Sequence, residues 1–273
     1  MRVRLVVNVL SRRGRVQGEA VHDELQQLGI AIAGDPADRQ VDAIVVAGGD
    51  GTLVRQIPRA LELRVPVGIV PLGTFNDLAR TLAIPLGVRG ACAIIAAGRT
   101  RTIDVARVNG TCYLSEASIG LSSRLARRQR PDDKQRFGFF AILASALQAM
   151  RYARPFHAGI RFDGGRARVR AIQLTVANSQ RFGGFITAAD AAIDDGRLEC
   201  YSVQIDNLVD FVSVAAAIVA GRRQTTQGLR TFRSRAFDIT TRRPHHITAD
   251  GEPAGKTPAR FEVLPGALRV FAP

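Results

Sequence analysis

The sequence is sparing with cysteine. Its three, Cys92, Cys112 and Cys200, are widely spaced and odd in number, which excludes both a close-set metal-ligand spacing and a fully paired disulfide framework. Each has apolar neighbours, so all three are expected as reduced core thiols. Long hydrophobic runs are missing too. The longest nearly apolar stretches, 137–150 and 211–220, are shorter than the roughly 20 residues that cross a bilayer as a helix. Residues 1–10 lack a long apolar core and a small-residue cleavage site, so they read as a strand and not as a secretory signal. The expected location is therefore cytoplasmic. There is no low-complexity tract, no Gly-Ser linker and no internal repeat. The arginine runs carry no interleaved aromatics and match no recognised binding module, which argues against a nucleic-acid partner.

What is abundant is positive charge: 38 Lys and Arg stand against 24 Asp and Glu, a net of +14 that is almost all arginine. A field of that sign favours anionic partners, nucleotides or an acidic lipid surface among them, and composition does not choose between these. Apolar residues at 46% and charged residues at 23% are ordinary for a globular protein. The 273 residues suffice for two small domains with a substantial core.

The first half alternates in character. Residues 3–8, 41–47 and 65–70 are short apolar runs that suit buried parallel strands. Between and after them, 16–28, 53–61 and 75–82 have helical spacing, with Val21, Leu25 and Leu28 on one face of the first. Strand and helix in alternation imply a parallel sheet with crossover helices. Beyond residue 105 the period shortens. Strands are expected at 101–108, 111–117, 158–162, 166–177, 197–204, 237–240, 245–249, 259–264 and 268–271, separated by turn residues such as Asp163-Gly164-Gly165 and Asp194-Asp195-Gly196. Helices are expected at 138–153 and 208–222. The expected fold is an α/β N-terminal domain with a parallel sheet and crossover helices, followed by a β-rich, sandwich-like C-terminal domain. Domain limits fall at 1–105 and 106–264, with 265–273 free to return to the first domain.

Two loops carry the chemistry. In the first, the strand 41–47 ends in Gly48-Gly49-Asp50-Gly51-Thr52 and a helix follows. Glycines let the backbone approach an anion without a Cβ in the way, and a helix start offers unpaired N–H groups to a phosphate. Thr52 adds a hydroxyl, and Asp50 is a candidate ligand for Mg²⁺, directly or through water. In the second, Gly73-Thr74-Phe75-Asn76-Asp77 lies just past the next strand end. In a parallel sheet it faces the same crevice, with Gly73 and Thr74 as donors and Asn76 and Asp77 as caps for the following helix.

Gly48-Gly49-Asp50-Gly51-Thr52 followed by Pro71-Leu72-Gly73-Thr74-Phe75-Asn76-Asp77-Leu78-Ala79-Arg80 resembles the catalytic domain of the diacylglycerol kinase family, which bacterial lipid kinases and sphingosine kinases share. Ile103-Asp104-Val105, Ser118-Ile119-Gly120, Asp194-Asp195-Gly196-Arg197-Leu198 and Asp250-Gly251-Glu252-Pro253 continue the resemblance in the family's order over nearly the whole chain. It implies ATP as donor, Mg²⁺ as cofactor and a lipid hydroxyl, of diacylglycerol, a sphingoid base or a related lipid, as acceptor. The phosphate loop maps onto Gly48, Gly49, Asp50, Gly51, Thr52, Leu53 and Val54, with Thr74, Gly73, Asn76 and Asp77 beside it and Asn8 and Ser11 after the first strand. Glu252 maps onto the general base, with Asp50, Asp250 and Asp104 assisting. A structural Mg²⁺ site maps onto Asp195 and the carbonyls of Ala192 and Arg197.

The chain departs from the family after Asn8, where a proline is missing and Arg12 and Arg13 crowd the turn. It departs again between Gly29 and Val41, where a strand, a nucleotide-contacting threonine and a helix are expected to be absent, and at Ser115, where asparagine is usual. An anionic membrane surface is the expected partner, met by Arg124, Arg127, Arg128, Arg130, Lys134 and Arg136 on the inner membrane face, and a homodimer through edge strands stays open. Two other readings stay open as well: a soluble-substrate kinase related to NAD kinase, which shares Gly-Gly-Asp-Gly-Thr, and a non-catalytic nucleotide- or lipid-binding protein.

Overall fold

A computed structural model describes residues 1–9, 12–35, 38–120, 154–182, 185–186, 192–204 and 229–273. The basic run 124–136, Ser11 and the expected helices at 138–153 and 208–222 lie outside them.

The N-terminal half winds four parallel strands, in the order β2 (Ala31–Ile32), β1 (Arg2–Val7), β3 (Ala43–Gly48) and β4 (Val67–Pro71). All six residues of β3, Ala-Ile-Val-Val-Ala-Gly, are buried, which is why this run shows no alternation: helices cover both faces of such a sheet. The crossovers are α1 (Arg12–Gln27), α2 (Asp50–Leu63), the short α3 (Asp77–Thr81) and α4 (Val88–Ala96). They press Val21, Leu25, Leu53, Ile57, Leu78, Cys92 and Ile95 into one core with the strands.

The C-terminal half stacks two antiparallel layers. One continues the first sheet through β18 (Ala259–Phe271), which pairs with β5 (Thr100–Val108) and with β15 (Ala236–Thr241), then β8 (Phe156–Phe162) and β9 (Gly165–Ala171). The short β6 (Thr111–Tyr113) pairs with β5. The other layer has the order β14 (Leu229–Ser234), β13 (Leu198–Val203), β10 (Gln173–Ala177), β7 (Glu116–Gly120), β16 (His246–Ala249), β17 (Glu252–Lys256). Ala117, Ile119, Leu174, Val176, Ile160, Phe237 and Phe261 fill the space between the layers, as in a sandwich. The far end of β18 reaches the parallel sheet, where Val270 lies opposite Val67 of β4.

The fold class is thus an α/β half with parallel strands followed by a β sandwich, and the differences from the sequence reading are local. A short β2 survives in the segment expected to lack a strand, paired with β1 at Arg2 and Val3. The helical alternation runs on through α4. Expected strand 111–117 is broken at Leu114-Ser115 and 166–177 at Ile172, while 259–264 and 268–271 are one strand with a bulge between Leu264 and Leu268. Unforeseen β14 and β17 are edge strands, with little burial to impose a pattern. β17 reads Glu-Pro-Ala-Gly-Lys, and Pro253 is tolerated there because an edge need not donate outward. The cysteines are unpaired, Cys92 and Cys200 buried, and burial pushes their thiols up to about 11 and about 12. Among the described residues no helix is long and apolar enough to cross a membrane.

Candidate active site

β3 hands over to α2 within one residue. Gly48 ends the strand, Gly49 occupies the cap position with no side-chain cap, and Asp50 opens the helix. The helix thus starts at the C-terminal end of the sheet, the usual seat of a phosphate, with Thr52 and Leu53 N–H turned to the Gly49 carbonyl at 3.0 and 3.1 Å. The second loop is pressed against the first. Leu72 N–H donates to the Gly48 carbonyl at 2.9 Å. A Cβ on Gly73 would stand 2.4 Å from Gly49 Cα, and one on Gly49 would stand 3.0 Å from Gly73 Cα. Only glycine at both places allows this contact.

Asn76 braces the second loop. Its backbone is left-handed, with φ 53°, its Oδ1 accepts from Gly73 N–H at 2.9 Å, and its Nδ2 donates to the Gly73 carbonyl at 3.0 Å. The expected capping role therefore needs correction: Asn76 sits at the cap of α3 without a side-chain cap bond, because its carboxamide is spent on Gly73. The carboxylate that serves α3 comes from Asp50, which accepts from Leu78 N–H at 3.4 Å. Burial raises the Asp50 pKa, and N–H groups of Leu78, Asp50, Asp77 and Asn76 oppose that. Gly48, Gly49, Asp50, Leu53, Asn76 and Ala79 line a small cleft here.

Other members of the expected phosphate set separate. Gly51 lies in the first turn of α2 and Thr74 is exposed beside the cleft. Thr52 is buried and its side chain lies over Gly48. Leu53 is core, its N–H already given to the Gly49 carbonyl, and Val54 packs against that core. These last two act through packing. Asp77 is buried. Asn8 follows β1, its N–H donating to the Ala47 carbonyl at 3.0 Å.

The sandwich supplies the other wall. Asp250 and Gly251, with φ 46° and 85°, connect β16 to β17 with Ala249 opposite Glu252. Two positive φ values in a two-residue loop are the pattern of a type I′ turn, which Asp-Gly favours. Asp250 Oδ2 accepts from Leu114 N–H at 2.7 Å, and Oδ1 accepts from Ser115 and Glu116 N–H at 3.0 Å each. Burial pushes the Asp250 carboxyl up to about 6; these N–H bonds hold it lower than burial alone would, and the nearby Asp50 charge adds to the rise. Glu252, by contrast, is exposed, and its Oε1 receives Arg55 Nη1 of α2 at 3.3 Å. Asp50, Asp250 and Glu252 thus meet across the two halves.

Asp104 stands apart from them. It is buried, its Oδ2 accepts from Gly196 N–H at 2.6 Å and its Oδ1 from Gly266 N–H at 2.7 Å. Gly266 lies in the bulge of β18, whose freed N–H needs an acceptor. Both Asp104 oxygens thus tie the 194–196 turn and the β18 bulge to β5. Asp195 is likewise committed: Oδ1 accepts from Arg197 N–H at 2.9 Å and Oδ2 pairs with Arg233 Nη2 at 2.5 Å, while Arg101 Nη2 pairs with Asp194 at 2.5 Å. Guanidinium groups neutralise both acids, so the residues do not fit the structural Mg²⁺ expected at Asp195, Ala192 and Arg197. Sequence reasoning missed Arg55 and the Leu114–Glu116 N–H groups. A lone arginine on a helix surface carries no signal, and backbone donors have no sequence signature.

A parallel sheet with an open helix start at its C-terminal end, facing a turn of carboxylates from a β sandwich, is the architecture of a phosphate-handling enzyme. Two family models match in succession: the diacylglycerol kinase catalytic domain over residues 2–108 and the YegS C-terminal NAD kinase beta sandwich-like domain over 115–272. The chain belongs to the family defined by the YegS C-terminal NAD kinase beta sandwich-like domain, whose model covers more than half of it, here preceded by a match to the diacylglycerol kinase catalytic domain. It is 27% identical to the diacylglycerol kinase of Bacillus subtilis, over 88% of this chain and 81% of that one. It is 26% identical to an uncharacterized protein of Synechocystis, of which it spans 57%. In fold it is similar to a structure of a candidate diacylglycerol kinase from Bacillus anthracis, with TM-score 0.82, 24% identity and 100% and 95% of the two chains covered. An NAD kinase of Archaeoglobus fulgidus, solved with ATP, follows at TM-score 0.54 and 14% identity, with 99% and 93% covered.

Proposed function

We propose that this protein is an ATP-dependent lipid kinase that phosphorylates a lipid hydroxyl, of diacylglycerol, a sphingoid base or a related lipid. The observation that carries the reading is the meeting of the Gly48–Thr52 loop with the Asp250–Glu252 turn, so that one wall of the crevice suits a polyphosphate and the other offers a solvent-open carboxylate. ATP is the donor proposed, with its phosphates at the uncapped start of α2 and along Gly73. Glu252 accepts the proton of the acceptor hydroxyl as that oxygen bonds to the γ-phosphorus and the bond to the ADP oxygen breaks. Transfer of this kind asks for positioning and charge neutralisation more than covalent participation.

Mg²⁺ fits at Asp50 rather than at Asp195. The Asp50 charge raises the Asp250 pKa, and a cation held by Asp50 would offset that charge. Among the described residues no three acidic, His or Cys side chains form a cage, so most ligands would be phosphate oxygens and water, a common mode for this ion. Bound there, it would neutralise phosphate charge.

An anionic membrane surface as the place of reaction is supported by the outer face of β8 and β9. Arg161, Arg166 and Arg168 are exposed there and, among the described residues, make no ion pair; Arg161 lies opposite Arg166 on one side and Asp238 on the other. Like charges in that register are unfavourable alone and are relieved by anions. Phosphate transfer from labelled ATP, scored across lipid acceptors and NAD, tests the reading; label appearing in NAD alone would favour the soluble-substrate alternative.

A further inference from the structure

Of the four carboxylates the sequence motifs single out, three are held by backbone donors and one is not. Asp50, Asp104 and Asp250 each accept backbone N–H groups, from Leu78, from Gly196 and Gly266, and from Leu114, Ser115 and Glu116. Such donors are part of the fold and do not move independently of it. Glu252 has none. Its carboxylate is exposed, and among the described residues its partner is the Arg55 guanidinium at 3.3 Å. Arg55 belongs to α2, the helix that starts at Asp50, whereas Glu252 starts β17 in the sandwich.

We infer that Arg55 is the positioning residue for Glu252: it aims the proton-accepting carboxylate from the opposite wall and ties the Asp250–Glu252 turn to the helix that grips the phosphates. This rests on the kinase reading above. A guanidinium suits the task because it stays charged at any working pH and its planar fork fixes direction as well as charge. The pair has little else to do. Side chains 60% and 53% exposed give a surface ion pair that contributes next to nothing to folding. Truncating Arg55 should therefore leave the fold alone and release Glu252 to rotate away from the acceptor.

The test combines Arg55→Ala, Arg55→Lys and Glu252→Gln in a double-mutant cycle, with kcat, KM for ATP and melting temperature measured on each full-length variant. General-base catalysis is worth roughly 100-fold to 10,000-fold, and loss of aim forfeits part of that. The expected result is a kcat of Arg55→Ala reduced at least about tenfold, with KM for ATP and melting temperature unchanged and partial rescue by Arg55→Lys. In the Glu252→Gln background, Arg55→Ala should cost nothing further. An equal loss in both backgrounds, or an unchanged kcat, overturns the inference while leaving the kinase reading intact. Full activity in Glu252→Gln alone overturns the base assignment and the positioning role with it.

Discussion

Asp50, from the N-terminal half, stands close enough to Asp250, from the sandwich, to raise the latter's affinity for protons. Two acids facing each other across the junction of two layers are an arrangement that folding alone would avoid. Backbone N–H groups hold each carboxylate in place, those of Leu114, Ser115 and Glu116 on Asp250 and that of Leu78 on Asp50.

The first prediction follows from that pair. Asp250 rises from 3.8 to about 6 in the fold. Below about pH 4 the folded and unfolded chains are both protonated there, and the aspartic acid costs nothing. Between 4 and 6 only the folded chain keeps the proton, and above 6 the fold carries an ionised, buried group. Asp250 therefore contributes stability at low pH that is lost as pH rises through about 6, on the order of 3 kcal/mol in all. Asp250→Asn should be less destabilising, relative to wild type, at pH 7.5 than at pH 5. Urea unfolding of both proteins at the two pH values measures the difference; a pH-independent gap would contradict it.

Gly73→Ala tests the contact between the loops. The new methyl would be driven to 2.4 Å from Gly49 Cα, against backbone that cannot swing away. The loops must part, at a cost of about 1–3 kcal/mol, and ATP affinity should fall with stability. Calorimetric titration with ATP, alongside thermal melting, checks both; wild-type affinity in a stable variant would show that the loops do not need to touch.

Metal removal should leave the fold unmoved at Asp195. With Arg233 and Arg101 on the neighbouring acids, EDTA is expected not to change the melting temperature of the nucleotide-free protein. A rise of several degrees on adding Mg²⁺, abolished by Asp195→Ala, would show a structural cation after all.

The basic face of β8 and β9 predicts a salt-sensitive preference for acidic vesicles. Arg166→Glu with Arg168→Glu should cut sedimentation with phosphatidylglycerol vesicles by tenfold or more, at about 1 kcal/mol for each cation lost near the surface. Turnover of a detergent-dispersed acceptor should be unaffected. Equal sedimentation of variant and wild type would place any membrane contact elsewhere.

The parts of this site that were legible in the sequence are the ones made by consecutive residues. Gly48 to Thr52 and Gly73 to Asp77 each announce a strand end, a glycine loop and a helix start, because the chemistry is local. The same is true of the buried, unalternating β3. Asp250 was visible as a motif, but its environment depends on N–H groups of Leu114, Ser115 and Glu116, which belong to a break in what reads as one continuous strand. Asp104 lies within a family-like triplet, yet its partners Gly196 and Gly266 are brought by a turn and a bulge. Asp195 carries the expected motif while Arg233, on an edge strand with no apolar pattern, answers its charge. Arg55 is visible only once two distant elements are side by side.

Direct measurement of phosphate transfer from radiolabelled ATP to a lipid panel, with Mg²⁺, tests the central claim. Wild type, Asp50→Ala and Glu252→Ala would be compared at matched folded concentration. The account predicts a labelled lipid with wild type and none above background with either variant. A wild-type protein that binds ATP but labels no lipid, or a Glu252→Ala variant that labels it at the wild-type rate, would contradict it.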